Sequence, residues 1–245
     1  ALPLPTRPAA SKLTTSLPPS LPLRLRSGQA IRPLSRLHAT RSFSLSSNMA
    51  VPRVVLVDMD NTLVSFEDEF IKRWKAKGFS NEGLKIMEAG RDLFELEQNF
   101  PNPEDAKNAE SIMAEPGFYI CFEPLPGAIK AMNEMLAEGI DVRLCTAPHP
   151  LQYETCSADK YAWVKKHMGM DWAGRLVICR DKTFVKGHIL VDDKPKVAGS
   201  FATPDWQQVV FTAPYNKSVD LAGRSRLDKW ADWRDVLLPL LPPKA

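Results

Sequence analysis

The sequence predicts an α/β domain: a doubly wound parallel sheet with a small helical cap inserted after the first strand. Three observations predict it. Short apolar runs rich in β-branched residues alternate with helix-like segments from residue 53 onward, the pattern of strand–crossover–strand units. Several of these runs end directly in Asp or Thr rather than in ordinary turn residues. The stretch 66–125 is far too long for a simple crossover, so it carries an insertion.

Arg53–Val57, reading RVVLV, is a buried parallel strand that stops at Asp58. Phe66–Lys77 reads as a helix with Phe66, Phe70, Ile71 and Trp74 on one face. Residues 78–122 are mostly helical in character, broken by PNPED and by Pro116-Gly117, and form the expected cap. A turn at Pro124–Gly127 leads into a helix over Ala128–Glu138, which Gly139 ends. A strand at Asp141–Cys145 precedes a proline-containing loop and a helix around Lys160–Met168. Strands follow at Arg175–Cys179, His188–Val191 and Gln208–Thr212, and a Trp-rich helix near Lys229–Leu237 closes the pattern.

At 245 residues the chain suits one domain with an insertion and buries a core without staples. The four cysteines form no CxxC pair and no zinc-type cluster with histidine, which points to reduced thiols. Net charge is +3, but residues 1–49 hold seven Lys or Arg and no acid, leaving 25 basic against 29 acidic residues beyond them. That mildly acidic remainder gives no charge-based reason to expect a nucleic-acid polymer or a membrane surface as partner. No stretch approaches the ~20 apolar residues of a membrane span. The basic, Ser- and Pro-rich segment 1–49 is expected to be disordered and reads as an organellar transit peptide, which would make the protein mitochondrial. If Met49 is instead the native start, residues 1–48 are upstream translation and the protein is cytoplasmic. Residues 50–245 are the folded domain on either reading.

In sheets of this kind ligands sit beyond the carboxyl ends of the strands. After the first strand comes Asp58-Met59-Asp60-Asn61-Thr62, after the second Thr146, after the third Arg180-Asp181-Lys182, and after the fourth Asp192-Asp193. Carboxylates crowded there repel one another unless a cation lies among them. Oxygen donors without His or Cys select Mg²⁺. The metal neutralises a phosphate dianion and leaves one aspartate free to attack, while Thr146 and Lys182 bind the remaining phosphate oxygens. Other residues read more simply. Asp181 is structural, His149 is a loop residue, Cys145 is an inert strand residue, and Trp206, Trp230 and Trp233 anchor the core.

DMDNT, Thr146, Lys182 and Asp192-Asp193 resemble, in order and spacing, the four motifs of the haloacid dehalogenase superfamily. VLVDMDNTLVSFE, FEPLPGA, LCTAP, KYAWVKKHMG, RDKTFVKGHILVDDKP and VVFTA further resemble the 5′(3′)-deoxyribonucleotidases over nearly all of residues 52–240. The resemblance implies that Asp58 is the nucleophile forming an aspartyl phosphate. It implies that Asp60 is the acid/base and gives its carbonyl to Mg²⁺, with Asp58, Asp192 and Asp193 completing the metal site directly or through water. It places Phe66 in the base pocket. Four positions depart from the family: its cap Phe-Trp pair corresponds to Leu93-Phe94, its serine after the motif-II threonine is Ala147, and its glycine after the second aspartate is Asn61. Phe94 and Ala147 are therefore substrate-pocket candidates alongside Phe66.

The expected activity is Mg²⁺-dependent hydrolysis of small phosphate monoesters, (deoxy)nucleoside monophosphates first, with a homodimer left open. Three other readings remain. A phosphatase for a sugar or glycerol phosphate is consistent with the altered cap. A halide-removing relative is disfavoured by Asp60, because such enzymes lack the second aspartate. A non-catalytic nucleotide-binding protein is disfavoured by the intact Asp58, Asp60, Thr146 and Lys182.

Overall fold

The computed structural model describes residues 52–244; the expected leader, residues 1–49, lies outside them. In chain order the elements are β1 (Arg53–Val57), β2 (Val64–Ser65), α1 (Phe66–Lys77), α2 (Asn81–Ala89), α3 (Pro103–Met113), β3 (Glu123–Pro124), α4 (Ala128–Ala137), β4 (Ile140–Thr146), α5 (Tyr153–His167), α6 (Met170–Ala173), β5 (Leu176–Ile178), β6 (Ile189–Asp192), β7 (Gln207–Phe211), β8 (Arg226–Leu227) and α7 (Trp233–Leu237). Six strands form one sheet in the order β5-β4-β1-β6-β7-β8, and every pairing in it is parallel. β1 lies at the centre because the chain leaves it toward β4 and β5 and then returns to β6 on its other side. That reversal opens a crevice at the carboxyl ends of β1, β4 and β6.

Successive residues of β1 face opposite sides, as the pleat requires. Val55 and Val57 join the large core that includes Val142, Leu144, Val191 and Val209, with Met132 of α4 and Trp163 of α5. Leu56 joins a smaller core with Cys145, Leu190 and Trp206 on the opposite face. The second face is covered by Val185, Val197 and Trp206, from segments whose only helical element is a short 3₁₀ turn at Lys182–Phe184. The expected helix at Lys160–Met168 begins earlier, at Tyr153, and the Trp-rich end is a 3₁₀ turn, Trp230–Asp232, running into α7. The two-residue strands β2, β3 and β8 are too short to leave a periodic signal in sequence.

β2 and β3 pair antiparallel, and α1, α2 and α3 lie between them in the chain, so this small ribbon is the base of the inserted cap. α1 starts where the Ser65 hydroxyl accepts from Asp68 N, carries three acids in its first turn, and ends at Gly78 in the left-handed region, φ 65°; each feature favours a helix of this length and direction. Its buried stripe of Phe66, Phe70 and Trp74 meets Phe118, Phe122 and Phe100 in an aromatic core, with Trp74 stacked on Phe100 at 5.2 Å. The Trp74 indole donates to Ser80 O at 2.9 Å, so its ring is fixed.

α2 passes that ring so closely that a Cβ on Gly83 would stand 2.3 Å from Trp74 Cζ2. Gly83→Ala therefore destabilises the protein by about 1–3 kcal/mol, since overpacking a fixed buried ring outweighs the helix preference for alanine. Urea denaturation measures it, and a stabilised variant would show that Trp74 moves freely.

Candidate active site

β1 stops at Asp58 because the chain must turn at the sheet edge, and Asp58 N still donates to Val191 O at 2.9 Å. The turn that follows is tight. Asn61 takes φ 53°, and Thr62, Leu63 and Val64 N all donate to Met59 O. The indole of Trp230 fastens this loop from below by donating to Thr62 O at 2.7 Å. Trp206 does the same for the third loop, donating to Lys182 O at 3.2 Å. Two of the three tryptophans expected as core anchors thus also hold the site loops, while Trp233 bonds Glu134 of α4.

The four strand ends converge as the sequence predicts. Asp58, Asp192 and Asp193 are buried and offer carboxylate oxygens that lie within 4.8 Å of one another. Lys182 Nζ stands 2.6 Å from Asp58 Oδ1 and 2.6 Å from Asp192 Oδ2. Burial works to lower its pKa, but the Asp192 and Asp58 carboxylates overcome this and hold the ammonium well above its ordinary value. Burial raises the Asp192 carboxyl, with Lys182 opposing and Asp58 adding to the rise. Asp193 is pushed well up by burial first, then by Asp192 and Asp58. This is three oxygen-donor carboxylates crowded in low dielectric, and Asp58 Oδ1 lacks a hydrogen bond of good geometry. The donor set fits a hard divalent cation such as Mg²⁺.

Asp60 sits across from Asp58 and is the site's second carboxylate of interest. Its Oδ2 accepts from Lys160 Nζ at 2.8 Å. The same ammonium donates to Thr146 Oγ1 and to Ala147 O, each at 2.8 Å. All three donors are thereby used, and the Lys160 side chain is only 1% exposed. Asp60 keeps 31% exposure toward the cavity, with protein packed around its other sides. That packing raises its pKa, Lys160 opposes the rise and Asp58 adds to it.

Lys160 was not singled out by sequence, because it lies mid-helix and 14 residues beyond Thr146. One signal could have found it: Cys156, Lys160, Trp163 and Val164 form one buried stripe of α5, and a lysine inside such a stripe needs a buried partner. Tyr215 was missed as well. It is buried, and its hydroxyl donates to Asp193 Oδ2. It follows β7, a fifth strand end to which the same rule applies.

A cavity of about 400 Å³ opens above these groups. Phe66, Phe94 and Ala147, the three substrate candidates, all line it, together with Met113, Tyr119 and Arg180. Leu93 does not line it and is 47% exposed. His149 lines the cavity from the loop after β4, and its Nδ1 accepts from Leu151 N at 3.3 Å, as a loop residue does. Asp181 turns away to cap its own loop, accepting from Thr183 N and Ser200 N. Cys145 and Cys156 are buried, and no cysteine among the described residues is in a disulfide.

The parallel sheet, the inserted cap and this cluster define a hydrolase of the haloacid dehalogenase fold. Two solved structures illustrate that fold. One is a hydrolase of that superfamily from Deinococcus radiodurans R1, with TM-score 0.51, 16% identity, and 78% of this chain and 98% of that chain covered. The other is described as a predicted phosphatase, from Clostridium acetobutylicum, with TM-score 0.52, 14% identity, and 78% and 100% covered. Within that class, the model of the family "5′ nucleotidase, deoxy (pyrimidine), cytosolic type C protein" matches residues 52–241, and the chain belongs to this family of phosphoric monoester hydrolases. It is 37% identical over 209 residues to the human mitochondrial 5′(3′)-deoxyribonucleotidase, covering 84% of this chain and 90% of that one. It is also 37% identical over 187 residues to the human cytosolic type, covering 75% and 92%. A Bordetella pertussis relative is 41% identical over 184 residues, covering 75% and 95%.

Lys160→Met keeps the stem and removes the charge that faces Asp60. The expected loss is roughly 2 kcal/mol at pH 7, below the ~3–5 kcal/mol for breaking a fully buried pair, because Asp60 retains contact with cavity water. The loss shrinks as pH falls and Asp60 takes a proton. Denaturation midpoints at pH 7 and pH 5 check this; an equal loss at both would mean that Lys160 acts by packing alone.

Proposed function

We propose that the protein hydrolyses nucleoside monophosphates, deoxyribonucleotides preferentially, through an aspartyl phosphate on Asp58 and with Mg²⁺ bound. The observation that carries this reading is the convergence of Asp58, Asp192 and Asp193 with Lys182 on one side and of Asp60 with Lys160 on the other. The names of the human relatives support the nucleotide. So does a cavity of about 400 Å³ whose aromatic wall lies beside the carboxylates, within the ~300–1,000 Å³ usual for small-molecule sites.

In the first step an Asp58 carboxylate oxygen attacks phosphorus and the bond to the nucleoside oxygen breaks. Asp60 gives that oxygen its proton, and its raised pKa suits the role of acid. In the second step Asp60 takes a proton from water as the water attacks the phosphorus of the acyl phosphate. Phosphate leaves and the Asp58 carboxylate is restored. Lys182 and the Thr146 hydroxyl bind phosphoryl oxygens throughout. Asp58, Asp192, Asp193 and the Asp60 carbonyl would hold Mg²⁺, which supplies neutralisation of the phosphate dianion. Lys160 orients Asp60 and Thr146 together, so acid and phosphate clamp share one anchor. Phe66 and Phe94, which line the cavity, are assigned to the base, and Ala147 leaves the substrate without a hydroxyl at that position.

Phosphate release from a panel of nucleoside, sugar and glycerol monophosphates, with and without Mg²⁺, tests the reading on the full chain and its Asp58→Asn variant. Deoxynucleoside monophosphates are expected to turn over best. Chelation and Asp58→Asn are each expected to reduce turnover by at least ~10³-fold. Preference for a sugar or glycerol phosphate would retain the chemistry and reject the substrate. Mg²⁺ affinity is expected to weaken as pH falls, since protons compete for carboxyls whose pKa values burial has raised. The acid-free, basic residues 1–49 support import into mitochondria. A reporter fused to them is expected to enter that organelle, and a diffuse cytosolic signal would reject this.

A further inference from the structure

Tyr215 is 4% exposed and sits in a 3₁₀ turn, Pro214–Asn216, just beyond β7. Asn216 fixes the turn by donating to Asp193 O at 2.7 Å and to Phe211 O at 2.8 Å. The Tyr215 hydroxyl has both of its ordinary bonds. It donates to Asp193 Oδ2 and accepts from Asn61 Nδ2 at 3.1 Å. The other oxygen, Asp193 Oδ1, takes the Thr62 hydroxyl at 3.2 Å, and that hydroxyl in turn accepts from Asp193 N at 3.0 Å. The carboxylate is therefore gripped at both oxygens by neutral donors and has no freedom to rotate.

The other side of Tyr215 faces the cap. The Arg91 guanidinium lies 4.0 Å from the ring centroid, and Phe94 meets the ring edge-on at 5.7 Å and 76°. Arg91 is 6% exposed. Its Nε donates to Glu67 Oε1 at 2.8 Å, while Nη1 donates to Leu93 O at 2.9 Å and to Phe94 O. Asn61 Nδ2 also donates to Glu67 Oε1, at 3.1 Å. Glu67, Asn61, Tyr215 and Arg91 thus close a ring. It joins the cap loop that carries the cavity residue Phe94 to a carboxylate of the metal-binding set.

We infer that Tyr215 is a positioning residue for Asp193 and that Arg91 and Asn61 hold Tyr215, so that the metal site and the cap loop at 91–94 are set by one network. This inference rests on the proposed role of Asp193. A network that served packing alone would change the melting temperature and leave metal affinity untouched. One that orients a ligand changes metal affinity, where loss of such an orienting partner typically costs ~10–100-fold.

The test is calorimetric titration of Mg²⁺ into the full chain without substrate, followed by kinetics at saturating Mg²⁺. Tyr215→Phe keeps the ring beneath Arg91 and removes only the hydroxyl. It is expected to weaken Mg²⁺ binding about tenfold while leaving the substrate KM unchanged, with kcat recovering at saturating metal. Arg91→Lys loses the fork that holds Leu93 O and Phe94 O. It is expected to raise the substrate KM several-fold and to weaken Mg²⁺ about threefold. The double variant is expected to bind Mg²⁺ no more weakly than Tyr215→Phe alone, because Arg91 acts through Tyr215. Asn61→Gly, which accepts φ 53° freely, is a further route to the same loosening should Arg91→Lys unfold; it is expected to weaken Mg²⁺ about threefold. Wild-type Mg²⁺ affinity in Tyr215→Phe, or additive losses in the double variant, would overturn the inference. A wild-type chain that fails to take up Mg²⁺ would instead overturn the proposed function from which it starts.

Discussion

Two buried lysines hold the site together. Lys182 lies between Asp58 and Asp192, and Lys160 lies between Asp60 and Thr146. Without them the carboxyl ends of β1, β4 and β6 would each present negative or unpaired polar groups to a low-dielectric crevice, and the strands could not meet there at so small a cost. The sheet order makes the arrangement available: β1 lies between β4 and β6, so residues following three adjacent strands share one edge. The indoles of Trp230 and Trp206 then bond the loop carbonyls of Thr62 and Lys182, so the loops are held from the core side as well. Fold and site are in this sense one problem, since the same edge that satisfies the topology concentrates the charge.

Much of this was legible in sequence, for a physical reason. Asp58, Thr146 and Asp192-Asp193 lie within a residue of a strand end, and a short β-branched run locates such an end closely. Lys182 lies a few residues past the strand ending at Ile178, inside a block specific enough to carry a family resemblance. α1 was legible to the residue because Phe66, Phe70, Ile71 and Trp74 recur at helical spacing along it; its Ser65 and Gly78 caps came with the structure. Contacts made by tertiary packing were not legible. Lys160 reaches Asp60 from the middle of α5, 100 residues away in the chain, and Tyr215 reaches Asp193 from a turn with no apolar period of its own. For Lys160 the clue was a lysine inside an apolar stripe, and for Tyr215 its place just past a fifth strand end; each is weaker than a motif.

The cap shows the same division. Of its helices α1 follows from periodicity, and its aromatic residues supply the core; α2 and α3 were legible only as a helical character over 78–122. Its attachment follows from neither. The β2–β3 ribbon is two residues wide, and the cap loop is tied down by Arg91, whose partners Glu67, Leu93 and Phe94 are set by the fold. Asn61 is instructive here. A glycine would satisfy the left-handed backbone at φ 53°, but asparagine tolerates that region and adds an amide that bonds Glu67, Tyr215 and Phe66 N. Steric tolerance at one residue of the loop after β1 thus becomes a structural link to the cap.

Charge balance is the last constraint, and it bears on what the site accepts. Four ionised carboxylates against the two ammonium groups of Lys160 and Lys182 leave two formal negative charges in the crevice. Protonation is one relief, and the raised pKa values of Asp60, Asp192 and Asp193 are its sign. A divalent cation is the other, and on the proposed reading it would offset those charges while leaving Asp58 ionised. A phosphate dianion then adds two more negative charges. Arg91, Arg180 and Lys194 line the cavity, but so do Glu95, Glu97 and Glu110, so the wall adds no net positive charge to meet them. On the proposed reading the substrate would meet a site of its own sign without the metal, so the cluster assigned to hold the ion would also make entry of the phosphate depend on it.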